Sequence, residues 1–182
     1  MLAIRHALAV LITTLGLCKS AVALDQAAGT PQGDSPRRLV LLEPELEGDL
    51  EDATRVPGWN RKMANLDTFL REQMSARGLS MVLPNAAASD LLEQFRGRRE
   101  VHDCVPCIQD VARRLGAERA MVVWVFRMSE LVMWLYVRVV EPESGQIVVA
   151  RSMTFRGDND RAWSKAAEFF LRQLAEVPSK AR

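Results

Sequence analysis

Apolar positions along this chain fall into short runs, alternations and helical stripes. Arg38-Leu39-Val40-Leu41-Leu42 is an apolar run ended by Glu43-Pro44, the pattern of a strand buried on both faces. Gly48, Pro57 and Gly58 then mark a loop. Met63, Leu66, Phe69, Leu70 and Met74 recur at helical spacing, and Gly78 is placed to cap that helix. A second strand is expected over Leu79 to Leu83, stopped by Pro84, and a short helix over Ala87 to Phe95. The charged stretch RGRRE, Arg96 to Glu100, connects it to a further helix with Ile108, Val111, Ala112 and Leu115 on one stripe and Gly116 at its end.

Three strands follow in quick succession: Arg119 to Met128, Leu131 to Glu141 and Gln146 to Arg156. The turns between them, Ser129-Glu130 and Pro142-Glu143-Ser144-Gly145, are tight enough to predict an antiparallel meander. Gly157 to Asp160 offers a helix cap, and Ala162, Trp163, Ala166, Phe169, Phe170, Leu171 and Leu174 give the last helix a broad apolar face ahead of Pro178. The order is β-α-β-α-α-β-β-β-α. It predicts a single α/β (α+β) domain with a five-stranded mixed sheet and helices packed on it. The first two strands, joined through a helix, are expected to be parallel neighbours.

The middle strand of the meander alternates. Leu131, Met133, Leu135, Val137 and Val139 share one face, and Val132, Trp134, Tyr136, Arg138 and Val140 share the other. If helices cover both faces, all of this is core. If one face is open, Trp134, Tyr136 and Arg138 form a surface of the kind protein partners use. Trp163, on the apolar face of the last helix, is expected in the core.

The amino terminus changes the picture of compartment. Arg5, the uncharged run Ala7 to Leu17 and Ala21-Val22-Ala23 make the three-part pattern of a cleavable signal peptide over 1–23. The run is too short to span a bilayer. Leu17 stands before Cys18 where a lipoprotein signal has a small residue. Residues 24–36 are small, polar and rich in Gly and Pro, the composition of a flexible leader. The domain is then 37–177 and the tail 178–182. No further apolar segment is long enough to span, so a soluble periplasmic protein is expected.

The chain carries 24 basic and 23 acidic residues, and removing 1–23 leaves 22 against 23. No Lys/Arg stripe with interleaved aromatics occurs, which argues against nucleic-acid binding. No G-x-S-x-G, phosphate-cradling glycine loop or H-E-x-x-H is present, so no catalytic set can be assembled and no cofactor is expected. His102 is the sole histidine after residue 23.

Cys104 and Cys107, in HDCVPC, are the chain's most specific chemical feature. Haem attachment needs His after the second Cys, and Ile108 is there. A zinc site would have to draw four ligands from His102, Asp103 and the two cysteines, all in six consecutive residues. An oxidising compartment favours a disulfide that fixes how the chain enters the next helix. The alternative is thiol-disulfide exchange: Cys107 lies by a helix amino terminus, which stabilises a thiolate. Against exchange, the pair follows a polar loop rather than a strand. The segment EPELEGDLED packs six carboxylates into ten residues. Glu43, Glu45, Glu47 and Asp49 are weak candidates for a hard cation, but the spacing is not that of an EF-hand, and a solvated acidic loop accounts for it.

RLVLLEPEL, GLSMVLP, VARRLGAERAMVVWVFR and VRVVEPESGQIVVARS, closed by a helix, resemble the amino-terminal domain of TolB and the CsgG-like domains of the bacterial envelope. More closely, EPELEGDLED, CVPC and RGDNDRAW resemble the shared segments of an uncharacterised family of small secreted bacterial proteins. The likeness spans residues 38 to 174. It implies no catalytic residues. The wider fold implies an envelope protein that works by contacting other proteins, so the expectation is a non-catalytic accessory or adaptor protein with another periplasmic or envelope protein as partner.

Overall fold

The computed structural model describes residues 35–96 and 100–178. The expected signal at 1–23, nearly all of the leader, three residues of the RGRRE connection and the last four residues lie outside the described residues. The described part is a single α+β domain of six strands and four helices. In chain order these are β1 (Arg38–Leu41), β2 (Glu45–Gly48), α1 (Val56–Ala76), β3 (Met81–Val82), α2 (Ser89–Arg96), α3 (Val105–Leu115), β4 (Arg119–Arg127), β5 (Val132–Val140), β6 (Ile147–Arg156) and α4 (Asp160–Ala175).

The sheet order is β3-β1-β4-β5-β6, with β2 also paired to β4. β1 lies parallel to β3 and β4, and β4, β5 and β6 form the antiparallel meander. The sixth strand comes from the acidic segment, which is not wholly a loop: Glu45–Gly48 runs parallel to Trp124–Arg127. β1 and β2 are thus successive stretches along one edge of β4, interrupted at Pro44. Proline cannot donate to a ladder and falls where pairing is broken.

That interruption also sets which side the acidic residues face. Leu41 pairs with Met121 and Glu45 with Trp124, four residues on one strand against three on the other. The extra residue acts as a bulge and reverses the alternation. Without it, Glu45 and Glu47 would share the face of Leu39 and Leu41. With it, Leu46 takes that side and packs on the main core, while Glu45 and Glu47 sit beside Trp124 and Phe126. The strand ends at Gly48, with φ of 96°, where any Cβ would collide with the Arg127 carbonyl.

The two faces of the sheet are covered unequally. On one, Met63, Leu66, Leu70 and Met74 of α1 and Trp163, Phe170, Leu171 and Leu174 of α4 close over Met121, Val123, Val125, Leu135, Val137 and Val139. On the other, α2 and α3 supply Phe95, Ile108, Val111 and Ala112 against Val40, Leu42, Ala120, Val122 and Val140. Length decides the difference. An eleven-residue helix such as α3 is roughly 16 Å long, whereas a nine-residue strand spans roughly 30 Å. α3 therefore covers one half of this face. The other half is left to Trp124, Phe126, Trp134, Tyr136, Ser152 and Thr154.

The closing motif RGDNDRAW ties the layers together. Asn159 caps α4 by accepting from the Ala162 N–H at 3.0 Å. Asp158 accepts from the indole N–H of Trp59 (3.0 Å) and of Trp163 (3.2 Å), and from Lys62 Nζ (2.7 Å). Trp163 is buried, as expected from its place on the last helix, and so is Trp59.

Candidate functional site at the open half of the sheet

Residues remote in sequence meet here. Glu45 and Glu47 arrive on β2, His102 and Asp103 on a single 3-10 turn (Val101–Asp103), and Trp124, Trp134, Tyr136 and Arg138 on β4 and β5. The turn is anchored by Glu45. Its Oε1 accepts from the Val101 N–H at 2.8 Å, and its Oε2 accepts from the His102 N–H at 3.0 Å and lies 2.5 Å from His102 Nδ1. Glu47 Oε1 is 3.4 Å from the same ring nitrogen. It is buried and accepts no hydrogen bond.

The imidazole is only 5% exposed and forms the inner end of a ladder of rings. It stacks on Trp124 at 4.2 Å, Trp124 on Tyr136 at 4.8 Å, and Tyr136 on Trp134 at 6.0 Å, all within 14° of parallel. Stacked aromatic neighbours of this kind add roughly 0.5–1.5 kcal/mol each beyond their burial. Arg138 lies over Trp124, 4.7 Å from the ring, and donates to Asp103 Oδ1 at 2.7 Å and to the His102 carbonyl at 3.5 Å. The ladder grows more exposed outward. Trp124 is buried, Tyr136 and Trp134 are half-buried, and Phe126, opposite Trp134 in the ladder of β4 and β5, is 37% exposed. Met128 and Leu131, at the adjoining turn, are more exposed still.

The electrostatics follow from this packing. Burial raises the pKa of Glu47 above its ordinary value, with the neighbouring charges of Glu45, Glu100 and Asp103 pushing the same way and His102 opposing. The hydrogen bond from Arg138 holds Asp103 below the usual carboxylate range.

Cys104 and Cys107 are joined by a disulfide directly after the turn. Cys104 Sγ also accepts from the Cys107 N–H at 3.3 Å, so the bridge forms the amino-terminal cap of α3. Cys107 packs into the core under α3, and Cys104 is half-buried.

Of the residues singled out in the sequence, the structure brings Glu45, Glu47, Trp134, Tyr136, Arg138 and the cysteine loop to one place. Asp49 goes elsewhere: its backbone and side-chain oxygens accept from Arg127 Nη1 at 2.5 and 2.7 Å. Glu43 precedes the break in the strand, next to Pro44. His102 enters the site through the carboxylates of β2 rather than through the cysteines beside it. Trp124 and Phe126 had no signal of their own, since both lie in an unbroken apolar run, Ala120 to Phe126, in which every residue reads as core.

A family model described as "Protein of unknown function (DUF2380)" matches residues 37–174. The chain belongs to this family, DUF3280. No match is found among curated proteins. Among solved structures, the DUF3280 chain is similar to the NMR structure of Escherichia coli LpoB, with a TM-score of 0.50 and 12% identity over 66% of this chain and 56% of that one. Lipoprotein GNA1162 from Neisseria meningitidis gives 0.49 and 15%, covering 78% and 100%. The expected likeness to TolB is weak: the Acinetobacter baumannii protein gives 0.43 and 6%, covering 80% and 30%.

Proposed function

We propose that this chain is a periplasmic, non-catalytic accessory protein that binds another envelope protein through the open half of its sheet. The observation that carries the reading is the strip of aromatic residues, Phe126, Trp134 and Tyr136, with Arg138 at its side, that α3 is too short to cover. Aromatic residues and arginine are the types that dominate protein interfaces. The compartment rests on the signal pattern over 1–23, and a disulfide fits an oxidising one. Among the described residues no helix is long and apolar enough to cross a membrane.

Thiol-disulfide exchange is the less favoured use of the cysteines. An exchange centre presents a sulfur to attack; here Cys107 is 4% exposed, and the sulfur of the half-buried Cys104 is engaged as the cap of α3, accepting from the Cys107 N–H. That supports a structural clip.

The test is site-directed photo-crosslinking in the native host. A photoreactive amino acid in place of Trp134 should capture one defined envelope protein, and Arg138→Ala in the same chain should reduce the yield. The same group in place of Phe169, exposed on α4 over the opposite face, should capture none. Equal capture at both positions, or none at position 134, would overturn the reading.

A further inference from the structure

We infer that Glu45, Glu47 and His102 form a binding site for a divalent transition-metal ion, with zinc the best match. Glu45, Glu47 and His102 each bring one ligand atom within 4.8 Å of the others, on two elements brought together from 55 or more residues apart. The donor set is one imidazole nitrogen and two carboxylate oxygens. Zinc and its neighbours accept such a set, whereas calcium and magnesium favour all-oxygen sites. Two ligands bound at about 2.0–2.1 Å in tetrahedral array stand roughly 3.3 Å apart. Nδ1 and Glu47 Oε1 are 3.4 Å apart already. Nδ1 and Glu45 Oε2, at 2.5 Å, need to open by less than an ångström of side-chain rotation.

Three further observations point to a cation here. Glu47 Oε1 is a buried carboxylate oxygen with no hydrogen-bond donor, aimed at the ring nitrogen. Such orphans call for an ion or water to satisfy them. The charges do not balance without one: two carboxylates face one imidazole, which leaves an excess negative charge even with the ring protonated, and a divalent ion with a neutral ring removes it. The surroundings are also those of a ligand set. The Val101 and His102 N–H groups fix the Glu45 carboxylate. Asp103 Oδ2 stands 3.6 Å from the far ring nitrogen, Nε2, and the other oxygen of that carboxylate, Oδ1, is held by Arg138 at 2.7 Å. A carboxylate behind the second nitrogen of a metal-bound histidine fixes its tautomer and orientation. Glu45 and Glu47 also line a groove with Glu51 and Glu100, which gives the ion a route in.

The test is calorimetric titration of the purified, chelator-stripped chain, disulfide intact, with zinc alone, then with calcium alone. Zinc should bind one per chain and shift the His102 ring resonances in the NMR spectrum. Glu47→Gln keeps the shape of a side chain whose buried oxygen makes no hydrogen bond, so it should fold. It should weaken zinc at least by the roughly 10–100-fold that follows loss of even an outer partner. No stoichiometric zinc binding, binding by Glu47→Gln within about twofold of the parent, or calcium bound as tightly as zinc would each overturn the inference.

Discussion

At the scale of single residues, Glu47 is the most informative group. It is half-buried on the same face as Phe126 and Trp124, with one carboxylate oxygen fully enclosed, and burial, reinforced by Glu45, Glu100 and Asp103, raises its pKa above the ordinary 4.5. The folded chain then holds that proton more tightly than the unfolded chain. Its favourable contribution is complete below about pH 4.5 and is lost as pH rises through the raised value. In the presence of chelator, Glu47→Gln should therefore be as stable as the parent at pH 4 and more stable at pH 7. The gain should be about 1 kcal/mol or less, the scale of a partly exposed charge contact. Urea denaturation of both chains across that range measures it. A parent that gains on the variant with rising pH would mean that attraction to His102 outweighs burial.

At the scale of elements, Asp158 does most to join them. From the turn between β6 and α4 it reaches Trp59 and Lys62 on α1 and Trp163 on α4. Burial alone would raise its pKa, but the hydrogen bonds from Lys62 and Trp59, the Lys62 charge and Trp163 together bring it below the ordinary 3.8. Asp158 therefore stabilises the fold above that value, and the contribution drains away as pH falls through the lowered one. Asp158→Asn strands Lys62, whose side chain is 10% exposed, and should cost about 3 kcal/mol at pH 7. Adding Lys62→Met should return much of the loss; a chemical-denaturation double-mutant cycle decides it. The elements also show what was legible beforehand. The meander could be read because its turns and alternation are local, and the strand at Arg38–Leu41 because it is an unbroken apolar run. β2 could not be read. Pro44 and six carboxylates give its segment the composition of a loop, and what makes it a strand is pairing with β4, some eighty residues away. The candidate site was legible only as separate residues. The bulge that turns Glu45 and Glu47 toward His102 exists in the register with β4, so no local pattern announced their meeting.

At the scale of the whole molecule, the sheet is a slab with one finished face and one half-finished face, and this asymmetry separates residues that hold the fold from residues free for other work. Phe170 of α4 is fully buried between α4 and the finished face. Phe170→Ala should cost about 3–5 kcal/mol, the range for a large core aromatic. Trp134 is no smaller, but it is only half-buried, stacked on Tyr136 and opposite Phe126 in the strand pair. Trp134→Ala should cost only about 1–2 kcal/mol, a partial burial plus one stacking contact. Thermal or urea unfolding of the two variants gives the comparison directly. If Trp134→Ala proves as damaging as Phe170→Ala, the open half of the sheet is core, and a surface that the fold needs for its own stability is not free to bind a partner. If the costs divide as expected, the chain keeps a large aromatic strip exposed at little benefit to its own folding, and the work of that strip lies in what docks on it.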